Sequence, residues 1–83
     1  MASEQYYIDK LKHRGIKPTA TRLLILRAMF RGDETVSLPQ LERLLPTVDK
    51  STISRTLSVF LMNKLIHAVD DGSGSLKYNV CSD

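Results

Sequence analysis

Two groups of residues in this chain stand out by type and spacing. Lys10, Lys12, Arg14, Lys17, Arg22, Arg27 and Arg31 follow one another with no acid between them, so residues 10–31 carry seven positive charges. The remaining segments hold five bases against nine acids, which leaves a net charge of +3 over 83 residues. Positive charge gathered in one stretch forms either a basic face for phosphates or a solvated helix surface. The second group is Ser51, Thr52, Ser54, Arg55 and Ser58. These are short hydrogen-bonding side chains around one guanidinium, the chemistry that reads base edges.

Other candidates for chemistry reduce to ordinary roles. His13 lies in the basic stretch, where it is a phosphate contact or simply an exposed helix-end side chain. His67 has no second ligand at metal spacing and reads as a surface or half-buried side chain, and Cys81, the one cysteine, is an ordinary thiol or the start of a metal-binding linker in a longer chain. Asp70 and Asp71 are adjacent in a turn and point apart, whereas paired catalytic carboxylates must converge. No nucleophile, base and orienting group can be assembled, so an enzyme is not expected.

The elements that position these residues follow from periodicity and caps. Tyr7, Ile8 and Leu11 predict a short helix over about residues 4–13, closed by Gly15. Pro18 forces Lys17 out of helical geometry, and Thr19 caps a second helix from Ala20 to near Gly32-Asp33, with Leu23, Ile25, Leu26, Met29 and Phe30 at helical spacing. Ser37-Leu38-Pro39-Gln40 has the form of a capping box and starts a third helix, with Leu41, Leu44 and Leu45 on its buried side and Pro46 ending it. Asp49 caps a fourth helix from Lys50 to about Asn63, which buries Ile53, Leu57, Phe60 and Leu61. At ~100° per residue, Ser51, Arg55 and Ser58 fall on the opposite face. Residues 65–69 and 76–80 read as strands around the turn Asp70–Ser75, a hairpin that must pack on the helices, with Val36 as a very short extra strand.

The size and composition fit one small globular domain, with 42% hydrophobic and 25% charged residues. No run is long enough to span a membrane and no signal peptide is visible, so a cytoplasmic location is expected, which the lone cysteine also suits. The fold class is mainly α with a small β-hairpin. Two short helices joined by a tight turn, the second free of acids beyond its cap, meet the steric and charge demands of a helix-turn-helix in the major groove. The hairpin then becomes a wing, giving a winged helix-turn-helix of four helices plus wing.

The same residues resemble a known family. Gly15-Ile16-Lys17-Pro18-Thr19-Ala20-Thr21-Arg22-Leu23-Leu24-Ile25-Leu26 is similar to the G-[LI]-[KR]-x-T-x-x-R-x-x-[IV]-L signature of the ferric uptake regulator family. Val36-Ser37 with Leu41 resembles that family's entry to its third helix, Thr52-Ile53-Ser54-Arg55-Thr56-Leu57 its T-V-Y-R-x-L recognition motif, and Leu65-Ile66 its G-L-I before the wing. The resemblance implies the N-terminal DNA-binding domain, over residues 1–83, of a metal-responsive bacterial transcription regulator. By that resemblance Lys17 reaches toward the minor groove and Arg55 lies close to DNA on the recognition helix. Arg22 is a phosphate contact or a packed structural arginine. The expected DNA-facing set is Lys17, Thr19, Arg22, Lys50, Ser51, Thr52, Ser54, Arg55 and Lys77, with double-stranded DNA as partner.

Three departures qualify what the resemblance implies. Ser54 stands where the family has Tyr and cannot supply its apolar contact with thymine methyls. Lys64 replaces a Gly, so Asn63 or Lys64 must adopt that residue's backbone geometry. Thr35 and Asn79 fall where some members place a His and a Glu as metal ligands, and neither suits a transition metal. No metal is therefore assigned to this chain. Fe, Zn or Mn is expected in a C-terminal domain that the chain lacks, together with the homodimer interface, which leaves this chain monomeric or weakly associating. The operator, the effector metal and the choice between repressor and activator are open. The alternative is a winged-helix module for protein contacts through Leu24, Phe30 or Met62.

Overall fold

The computed structural model describes residues 4–31, 35–70, 72, 74 and 76–80. Helix α1 spans Glu4–His13 and α2 spans Ala20–Arg31; the sequence-predicted end of the latter at Gly32-Asp33 lies outside the described residues. Strand β1 is Val36–Ser37, α3 is Leu38–Leu44, α4 is Lys50–Met62, β2 is Ile66–Asp70 and β3 is Leu76–Val80. The element order is the one the sequence predicts, a winged helix of four helices and a wing.

Local signals account for most boundaries. Thr19 Oγ1 accepts from the Arg22 backbone N–H at 3.3 Å and so caps α2. At α3 the capping box is complete: Ser37 Oγ accepts from Gln40 N–H at 3.3 Å, while Gln40 Oε1 accepts from Ser37 N–H at 2.8 Å. Asp49 occupies the cap position of α4 in extended geometry, yet its carboxylate makes no cap hydrogen bond. That corrects the expected side-chain cap.

The core gathers one face of every helix and the base of the sheet. Phe60, Leu11, Ile25, Leu26, Leu41, Ile53, Leu65 and Ile66 are fully buried. Burying a side chain of Phe60's size contributes about 1.5–3 kcal/mol. Leu44 is a correction to the expected buried side of α3: it is 45% exposed, whereas Leu41 and Leu45 turn inward. Leu45 lies beyond the helix at its C-cap, so its burial does not follow the helical spacing that relates Leu41 to Leu44. Leu61 is half-buried at the edge of the core, and Phe30 at the end of α2 is 39% exposed.

The wing is not an isolated hairpin. β3 pairs antiparallel with β2, Ile66 opposite Val80 and Asp70 opposite Leu76, and also with β1, Val36 opposite Tyr78 and Ser37 opposite Lys77. The order β1-β3-β2 puts the last strand in the centre and satisfies both its edges.

Two helices end in the same left-handed turn. After α1, Ile16 N–H donates to Leu11 O at 2.9 Å and Gly15 N–H to Lys12 O at 3.0 Å, with Gly15 at φ 73°. After α4, Leu65 N–H donates to Phe60 O at 2.9 Å and Lys64 N–H to Leu61 O at 3.1 Å, with Lys64 at φ 60°. Lys64 therefore takes the geometry that the sequence comparison assigns to a glycine. Because its Cβ opposes that conformation, Lys64→Gly should stabilise the chain by up to about 1 kcal/mol. Urea unfolding should show a higher midpoint at unchanged m-value; a lower midpoint would contradict a strained Lys64.

Candidate nucleic-acid interface

The sequence-predicted site residues fall into three places. Lys50, Ser51, Thr52, Ser54 and Arg55 occupy the first two turns of α4, Lys17, Thr19 and Arg22 lie at the entry to α2, and Lys77 is on β3. The α2 and α4 helices pack against each other, with α3 between them in the chain.

On α4, burial divides the residues as helical spacing requires. Ile53, Thr56, Leu57 and Phe60 are buried, and Ser51, Ser54, Arg55 and Ser58 are exposed. The buried Thr56 hydroxyl donates to the Thr52 carbonyl at 2.8 Å, which hides a polar group on the core side without cost to packing. Ser58 Oγ donates to the Ser54 carbonyl at 3.2 Å. Among the described residues no ion pair or hydrogen bond engages the Arg55 guanidinium or the Ser51 and Ser54 hydroxyls. Arg55 thus stands with five donors available beside two hydroxyls, on a helix without an acid in its first turn. Met62 continues the stripe at its far end and is 81% exposed. Its spacing from Ser58 already placed it there, but an apolar side chain gave no reason to include it in the site.

At the entry to α2 Arg22 makes a contact within the chain. Arg22 Nη1 donates to the Lys17 carbonyl at 3.0 Å, so this half-buried guanidinium has a structural task. It closes the loop around Pro18 and holds the exposed Lys17 in place. Thr19 is exposed, and its hydroxyl is engaged as the helix cap. Lys10 is drawn away from the basic stretch: its ammonium lies 5.7 Å from the Tyr6 ring centroid and 6.0 Å from that of Phe30.

On the wing, Lys77 is half-buried in the central strand, opposite Ser37 and Val69. At the tip, Asp70 Oδ1 accepts from Gly72 N–H at 3.0 Å, a local turn that fixes a carboxylate there. The two residues compared with metal ligands offer a hydroxyl and an amide, not the imidazole and carboxylate that a transition metal takes. Thr35 precedes β1, Asn79 pairs with His67 across the wing, and among the described residues no three His, Cys, Asp or Glu side chains are grouped as a metal ion requires. The donors present do not fit a transition metal.

No protein-family model matches the sequence, and no curated protein matches it. The fold does match solved structures. A Vibrio cholerae ferric uptake regulator, described with a rearrangement of its DNA-binding domains, aligns over 92% of this chain and 62% of its own at 21% identity and a TM-score of 0.81. A Pseudomonas aeruginosa ferric uptake regulator with manganese aligns over 90% and 60% at 20% identity and 0.80. PerR from Streptococcus pyogenes, described in peroxide sensing and gene regulation, aligns over 96% and 58% at 19% identity and 0.73. The chain spans about three fifths of the length of these structures and shares their winged-helix fold. No helix among the described residues is long and apolar enough to cross a membrane.

The Arg22 to Lys17 bond makes a direct prediction. Arg22→Ala should lower stability by about 1 kcal/mol, and urea unfolding at 0.5 M salt should show the same loss as at low salt. A loss that vanishes at high salt would instead make Arg22 a general electrostatic contributor.

Proposed function

We propose that this chain is a sequence-specific reader of double-stranded DNA, the winged-helix domain of a metal-responsive transcription regulator. The observation that carries the reading is the acid-free exposed stripe of Ser51, Ser54, Arg55 and Ser58 on a helix whose other face is locked in the core. A helix about 10–12 Å across fits the major groove. Entering it by its N-terminal turns, α4 offers Arg55 to guanine O6 and N7, and Ser51 and Ser54 to either donors or acceptors on base edges.

Phosphates are held from outside that helix. Lys17, positioned by Arg22, and Lys50 at the start of α4 are exposed cations suited to the backbone on either side of the groove. Thr52 and Thr19 take supporting positions, and Lys77 contributes from the base of the wing. Ser54 in place of a tyrosine removes apolar contact with thymine methyls, so base preference shifts toward the hydrogen-bonding partners of Arg55. The similarity to regulators of iron and peroxide response supports the regulatory setting. In such a regulator Fe, Zn or Mn and the dimer contacts would belong to a second domain, and this chain alone would bind one half-site weakly, near 10⁻⁴ to 10⁻⁶ M, roughly the range of non-specific association.

A duplex selected from a random pool tests the roles. Arg55→Ala should reduce discrimination between the selected and a random duplex by about 1–3 kcal/mol. Lys17→Ala should weaken both equally and reduce the slope of log affinity against log salt by about 0.9. Equal losses on both duplexes for both variants would refute the assignment. A protein complex that is insensitive to salt and forms without DNA would favour the protein-contact reading through Leu24 or Met62.

A further inference from the structure

The outer face of α1 carries a group that DNA reading does not use. Tyr6, Asp9, Lys10 and His13 lie at i, i+3, i+4 and i+7 and line one shallow depression. Beside it, Phe30 of α2 meets the Tyr6 ring edge-on at 5.9 Å and the Tyr7 ring at 5.5 Å. Tyr6 is 44% exposed, so the rings present an apolar patch as well as packing α1 onto α2. Asp9 is exposed, with Oδ1 accepting from Gln5 Nε2 at 2.9 Å. The Lys10 ammonium lies over the two rings, and no carboxylate pairs with it among the described residues.

The spacing of this stripe is self-complementary. A two-fold axis crossing α1 between residues 9 and 10 sets Asp9 against the partner's Lys10, and Lys10 against the partner's Asp9. The same axis sets Tyr6 against the partner's His13. The pairing brings together opposite charges, an aromatic ring and an imidazole, and two opposed helix dipoles. A parallel arrangement would oppose like charges along the whole stripe.

We infer that the α1 face is a self-association surface whose partner is a second copy of this chain, joined antiparallel through Tyr6, Asp9, Lys10 and Phe30. The surface is separate from the exposed stripe of α4, so two domains joined here keep both α4 faces free. The association is weak, on the order of millimolar, because it rests on one helix face and two exposed ion pairs.

Sedimentation velocity on the 83-residue chain, at concentrations up to about 1 mM, should show a dimer that weakens as salt rises. Asp9→Lys and Lys10→Asp should each weaken it on the order of tenfold, since each sets like charges together at both symmetry-related pairs. Mixing the two variants should restore association, because every pair again unites opposite charges. The variant carrying both changes should also self-associate like the natural chain. Circular dichroism of each variant controls for loss of α1. A chain that stays monomeric throughout overturns the inference. So does a dimer indifferent to both reversals, or one that mixing fails to restore.

Discussion

The left-handed turn at Lys64 is the point on which helix α4 and the sheet both depend. Its hydrogen bonds run back to the last turn of the helix, and they swing the chain so that Leu65 and Ile66 enter the core beside Phe60. Without that reversal the buried face of α4 would lose the residues that cover its end. Ile53, Leu57 and Phe60 would no longer fix the rotation of the helix about its axis. Fixing that rotation is what exposes Ser51, Ser54 and Arg55 together. The wing then starts directly from the turn, and its central strand is tied to β1, which precedes α3. One backbone conformation thus couples the exposed stripe of α4 to the sheet.

The candidate site shows how charge on paper differs from charge on a surface. Seven bases with no acid between them suggest a basic face, and two of them also make contacts within the chain: Lys10 lies over aromatic rings and Arg22 donates to the Lys17 carbonyl. Both side chains keep their charge while also making a contact within the chain, and Arg22 reaches Lys17 through its backbone carbonyl. An arginine suits that task because its planar fork holds one geometry, whereas a lysine ammonium would not fix the loop.

Much of the architecture was legible because it is written in local terms. The capping box at Ser37 and Gln40, the cap at Thr19 and the turn at Gly15 each involve residues within five positions, and each formed as their types demand. Leu44 departs from its spacing because only neighbouring elements decide which part of a leucine cluster is covered. Asp49 lies at the right position without making the bond its type permits. The need for a left-handed residue at Asn63 or Lys64 came through resemblance to a glycine elsewhere; Lys64 itself carries no such signal, since its Cβ disfavours the turn. Solved structures near one-fifth identity share this fold, as expected when burial pattern and caps, not particular side chains, specify it.

By itself the sequence determined the helices, their caps, the wing strands and the polar stripe of α4, because periodicity and capping act over three to five residues. Tertiary structure decided that β3 pairs with β1 as well as with its hairpin partner β2, the partner of Arg22, the rings beneath Lys10 and the exposure of Leu44. Each of these depends on groups brought together from distant positions or on which face a neighbour covers. Spacing along the chain constrains such choices only when the fold has closed.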